Sequence, residues 1–188
     1  MKLNVGCGPH YADGWTNTDL IMVPGTIEPD VVVWPDRPFP FEPGEVERAY
    51  LGHVLEHVPW DDTPEFLADL RRVLAEDGRV CIVGPDTLEA IRLHAAGREP
   101  WGKVAAVIEG TGAYHPDEGR WAPMRWDADR HHWNCHEARV AELLADQGWT
   151  VEVIPRLADG RLDAVAIRGR GWPLVDDSPS QFSVEARP

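Results

Sequence analysis

The chain has 188 residues, 43% of them hydrophobic and 27% charged, which suits one domain with a substantial core and argues against both disorder and a membrane class. A formal charge of −14 and a pI near 4.9 repel nucleic-acid backbones and anionic membranes, so neither is expected as a partner.

Residues 2–5 form a short apolar run that stops at Gly6-Cys7-Gly8-Pro9, the pattern of a buried strand ending in a glycine turn. Residues 15–20 predict a second strand closing on Asp19. Residues 30–34, β-branched and bounded by Pro29 and Pro35, predict a third. After a proline-rich loop, residues 47–54 lead a fourth strand into Gly52-His53 and the segment Leu55-Glu56-His57. A helix follows, with Phe66, Leu67, Leu70, Val73 and Leu74 at helical spacing and Gly78 as its stop. Residues 79–83 are the clearest buried strand and end at Gly84-Pro85-Asp86. Residues 87–96 and 103–108 read as helices within an insertion, about 88–135, over the sheet edge; residues 136–147 predict another helix, stopped by Gly148. Residues 149–154 and 162–167 predict a terminal antiparallel hairpin, so the domain spans 1–170 and residues 171–188 read as a flexible tail.

This order describes an α/β fold of three layers, α/β/α, around a mostly parallel sheet. Ligands in such sheets bind beyond the carboxyl ends of the strands, where Gly6, Gly8, Asp19, His53 and Asp86 gather. Glycines after strand one let the backbone approach a ligand, and an acid at the tip of strand two accepts both hydroxyl protons of a ribose. The pair predicts a nucleoside cofactor, although an Asp also closes strands without any ligand. Cys7, Cys81 and Cys135 are odd in number and far apart, which fits a reducing, cytoplasmic setting. No apolar run reaches the roughly 20 residues of a membrane span.

Leu3-Asn4-Val5-Gly6-Cys7-Gly8, Gly14-Trp15-Thr16-Asn17-Thr18-Asp19, Pro38-Phe39-Pro40-Phe41 and His53-Val54-Leu55-Glu56-His57 together resemble the small class I, type 11-like methyltransferases that use S-adenosylmethionine (SAM). The resemblance covers residues 2–169 and implies a Rossmann-like fold and methyl transfer from SAM. It places Asn4, Gly6, Cys7, Gly8, Asp19, Leu20, Trp34, Asp36, His53 and Leu55 around the cofactor. Three departures stand out. Asn4 replaces an acid often found before the glycines, His10 a third glycine, and Trp34 a carboxylate near adenine, with Asp36 two positions on.

If the acceptor is a hydroxyl of a small molecule or sugar, a base must take its proton, and His53, His57, His131 and His132 are the candidates. The run from His131 to His136 holds zinc-type ligands, but no Cys-x-x-Cys pair accompanies it and no metal is assigned. Trp101, Trp121, Trp126 and Trp133 crowd the insertion, chiefly as a small core of their own. Two other readings compete: a cofactor-binding accessory protein without chemistry, and a nicotinamide-dependent oxidoreductase or epimerase. Only ten residues separate Gly8 from Asp19, which weakens the nicotinamide reading, since a dinucleotide fold needs about 20.

Overall fold

The computed structural model describes the chain except for residues 21, 23–24, 26, 35–36, 111–113, 116–119, 122–129 and 174–179. A seven-stranded sheet carries the fold, in the order β3-β2-β1-β4-β5-β9-β8. The strands are β1 (Lys2–Val5), β2 (Thr16–Asp19), β3 (Val31–Val32), β4 (Val46–Gly52), β5 (Leu74–Pro85), β8 (Thr150–Val153) and β9 (Gln181–Arg187). The pairs from β3 through β5 are parallel, while β9 runs antiparallel between β5 and β8. A small separate ribbon pairs β6 (Tyr114–His115) with β7 (Arg120–Trp121).

Period-two alternation divides the core between the two faces of the sheet. Leu3, Val5, Ala49, Leu51, Val80 and Ile82 share one cluster with Phe182, Val184 and Ala186. Helices α1 (Thr63–Val73) and α4 (Glu137–Asp146) cover it through Phe66, Leu67, Leu70, Val140 and Leu144. Tyr50, Cys81 and Val83 point the other way, onto Ile154, Leu162, Trp172 and Ile167 of α5 (Ala164–Gly169). The layers are therefore α/β/α, and the mostly parallel sheet ends in an antiparallel pair.

Three predicted elements differ. The first helix ends at Val73, before Gly78, because Leu74 is taken up by pairing with Val46. Residues 75–78 then bulge before Arg48 and Arg79 pair, and Gly78 sits so close to the Ala75 carbonyl that an added Cβ would lie 2.8 Å from it. Residues 162–167 do not form a strand: the Asp163 side chain accepts from Ala166 N at 2.9 Å, capping α5. The hairpin partner of β8 is β9, which lies in the segment read as a tail. Phe182, Val184 and Ala186 alternate toward one core, while Ser183 and Glu185 face the other side. Glu185 is buried there but paired with Arg79 at 2.8 Å and with Trp172 Nε1 at 3.2 Å.

Two further helices, α2 (Thr87–Ala95) and α3 (Trp101–Glu109), follow β5. The segment between β5 and α4 is clasped at its ends, since Thr87 N donates to Cys135 O at 3.0 Å. Among the described residues, no helix is long and apolar enough to cross a membrane.

Phe182 is fully buried, with its ring at the Gly84 backbone. Phe182→Ala is expected to cost about 3–5 kcal/mol of stability, read from urea denaturation, as befits a core aromatic rather than a tail residue.

Candidate functional site

The chain runs from β1 outward to β2 and β3, then returns to place β4 on the other side of β1. That reversal opens a crevice at the carboxyl ends of β1 and β4, and the residues that follow these two strands form its walls. Gly6 turns the chain at φ +61°, and a Cβ there would stand 2.5 Å from Val54 Cγ2, so the turn after β1 packs onto the segment after β4 with no room for a side chain at residue 6 unless Val54 moves. Gly8, at φ +51°, faces open space.

Asp19 ends β2 buried, and its Oδ2 accepts from Gly8 N at 2.8 Å. Beside this pair lies a cavity of about 290 Å³. Gly6, Gly8, Asp19, Leu20, Trp34, His53 and His57 line it, together with apolar side chains that include Val33, Phe39 and Phe66. A mainly apolar hollow with a few converging polar groups is the usual form of a small-molecule site. Trp34 is 46% exposed at the rim, with the Arg37 guanidinium 5.6 Å from its ring centre.

Other predicted cofactor residues serve the frame. The Asn4 side chain donates to His10 O at 3.0 Å and to Asn17 Oδ1 at 2.9 Å, bracing β1 against the link to β2. Leu55 is in the core, and its carbonyl accepts from Trp133 Nε1. Cys7 is buried, and burial together with the Asp19 charge pushes its thiol up to about 11. Asp36 lies outside the described residues. So do Trp126 and the surroundings of Trp121. Trp133 is buried in the core and Trp101 is exposed against His94.

Beyond β4 the chain makes a short 3-10 turn, Leu55–His57, that buries Glu56 completely. His53, in the left-handed region at φ 58°, sets its Nδ1 3.2 Å from Glu56 Oε1, and its Nε2 accepts from the Gln181 amide at 3.0 Å. The segment before α4 brings back His131, whose Nε2 is 4.0 Å from Glu56 Oε1 and whose ring packs edge-on to His57 with centres 4.9 Å apart. His132 is exposed and meets Glu56 through its backbone, with N donating to Glu56 O at 2.8 Å. Burial opposes ionisation of Glu56, but the His53 hydrogen bond and the nearby His53, His57 and His131 outweigh it and hold the carboxyl below its ordinary range. Burial lowers the His131 imidazole, against the pull of Glu56.

His53, His57 and His131 thus come together, and His132 stands apart. Glu56 is not among the candidates that the sequence singles out, although its spacing from His53 and His57 is the available signal. Gln181 carried no signal, because its segment looked like a tail.

No family model matches the chain, and no curated protein matches it. Solved structures do match its fold. DhpI in complex with SAM and HEP is 20% identical at a TM-score of 0.56, over 99% of this chain and 77% of that one. A SAM-dependent methyltransferase from Methanosarcina mazei is 15% identical at a TM-score of 0.57, over 98% of this chain and 90% of that one. The 1,6-didemethyltoxoflavin-N1-methyltransferase of Burkholderia thailandensis, with 1,6-didemethyltoxoflavin and S-adenosylhomocysteine bound, is 19% identical at a TM-score of 0.52, over 98% and 69%. The chain has the class I SAM-dependent methyltransferase fold.

Two expectations follow from the geometry. Gly6→Ala is expected to cost about 1–3 kcal/mol in chemical denaturation, from backbone strain plus overpacking against Val54, whereas Gly8→Ala, strained but unobstructed, should cost only about 1 kcal/mol. All three cysteines are buried, and burial lifts Cys81 to about 12 and Cys135 well above its ordinary value. The folded protein is therefore expected to resist a thiol reagent near pH 8 and to release its thiols only on denaturation.

Proposed function

We propose that this chain transfers a methyl group from SAM to a small-molecule acceptor, with the hydroxyl of a sugar or metabolite as the acceptor group. The observation that carries the reading is the buried Asp19 carboxylate held 2.8 Å from Gly8 N at the wall of the cavity. A strand-two acid beside side-chain-free backbone is the arrangement that accepts from both hydroxyls of a ribose while a ligand passes close to the main chain.

The residues present fit the cofactor. Gly8 leaves open the space a Cβ would fill, Trp34 offers an indole face for adenine in place of a charged acceptor, and the remaining walls are largely apolar. When bound, SAM supplies an electrophilic methyl group on its sulfonium. The protein supplies placement: Gly6 and Gly8 admit the methionine end, Asp19 orients the ribose, and His53 borders the point of transfer.

His53 is the histidine placed to take a hydroxyl proton. Its Nδ1–H is anchored on the buried Glu56 carboxylate, which fixes the tautomer and leaves the lone pair on Nε2; an acceptor hydroxyl would have to displace the Gln181 amide that donates there. The inserted region, clasped at Thr87 and Cys135 and returning His131 to the same edge, forms the acceptor side of the pocket.

Calorimetric titration with SAM and S-adenosylhomocysteine tests this reading, with NADH and NADPH as controls and circular dichroism as a check on folding. Micromolar binding is expected to weaken at least about tenfold in Asp19→Ala through the lost charge-assisted hydrogen bonds, and less in Asp19→Asn. No binding of either sulfur nucleoside, or a preference for a nicotinamide, would overturn it.

A further inference from the structure

The hydrogen bonds at the carboxyl edge leave acceptor capacity on three neighbouring side chains. His131 Nδ1 lies 2.8 Å from Val107 O, and His57 Nδ1 lies 3.1 Å from Arg130 O. A carbonyl oxygen only accepts, so both Nδ1 atoms carry protons, and in the neutral rings the lone pairs sit on Nε2. Glu56, with no exposed surface, uses Oε1 toward His53, while its Oε2 has no hydrogen-bond partner among the described residues. Ligand atoms of Glu56, His57 and His131 all lie within 4.8 Å of one another.

We infer that Glu56, His57 and His131 form a binding site for a zinc-class divalent metal ion at the edge of the cofactor cavity. Two imidazoles and one carboxylate are a ligand set of the catalytic zinc type, which keeps a coordination position open. The backbone carbonyls of Val107 and Arg130 are the partners that metal-bound imidazoles commonly have: each holds the far ring nitrogen and fixes the orientation of the near one. Metal–nitrogen bonds of about 2.0–2.1 Å place tetrahedral ligand atoms about 3.4 Å apart, so the 4.0 Å gap from His131 Nε2 to Glu56 Oε1 closes with a shift of about half an ångström, and the other separations, within 4.8 Å, with side-chain shifts of at most about 1.4 Å. A cation beside Oε1 would also compensate the charge of the buried carboxylate. His57 lines the cavity, so the site would stand beside the space where an acceptor hydroxyl would lie; this last clause alone rests on the methyl-transfer reading.

The full chain, stripped with a chelator, is titrated with Zn²⁺ alone and with Co²⁺ alone, without SAM. One tightly bound equivalent is expected, the cobalt form showing nitrogen and oxygen coordination without a thiolate band. The double variant H57A/H131A should weaken binding at least about tenfold, while His94→Ala, away from the cluster, should not change it. No uptake by the stripped protein, or unchanged binding in a folded double variant, overturns the site. If the double variant does not fold, X-ray absorption on the zinc-loaded native chain decides: two imidazoles and no sulfur support the site, and a sulfur ligand or fewer imidazoles overturn it. Failure here leaves SAM binding intact, so the two readings fall separately.

Discussion

Glu56 is a carboxylate with no access to water, and the carboxyl edge of the sheet is arranged around the need to keep it charged. Removing an ion from water costs several kcal/mol even after relaxation, so partners must come to it. They come from the adjoining turn and from two distant parts of the chain. His53 adopts a left-handed backbone to present Nδ1, the segment before α4 returns so that His132 N donates to the Glu56 carbonyl and His131 turns toward its side chain, and Gln181 enters from β9 to hold His53 from behind. One buried charge thereby links the end of β4, the segment before α4 and the last strand.

The crevice next to this cluster depends on a different constraint, the closeness of β1 to β4. Val54 occupies the place where a side chain on residue 6 would be. With that approach made, Asp19 is drawn to Gly8 N and the bracing by Asn4 and Asn17 keeps the β1–β2 link short. Ten residues suffice between Gly8 and Asp19 because Asn17 Oδ1 accepts from both Ala12 N and Asn4 Nδ2, so the link is held by side-chain amides instead of a crossover helix.

β9 joins the sheet core to the Glu56 cluster. It fills the sheet between β5 and β8, offers Phe182, Val184 and Ala186 to one core, and carries Glu185 into an ion pair with Arg79 on the other side. Because it is antiparallel to β5, its amino end lies at the carboxyl edge of the parallel strands. For that reason the strand that completes the sheet also delivers Gln181 to His53.

Local pattern alone was enough for β1 through β5, α1 and the glycine–acid pair, because buried parallel strands, helical spacing and glycine turns are signals written within a few residues of each other. The cavity residues Gly6, Gly8, Asp19 and His53 were legible for the same reason. Tertiary structure decided the rest. Whether residues 162–167 became strand or helix turned on the Asp163 cap, and residues 181–187 became a strand because β5 and β8 needed a partner, not because of strong local preference. Most of all, it decided what Glu56 is: in sequence an acid before a histidine, and in the fold a buried charge 75 positions from His131 yet 4.0 Å away, since only chain return through the insertion could bring an imidazole to a carboxylate that had already left water.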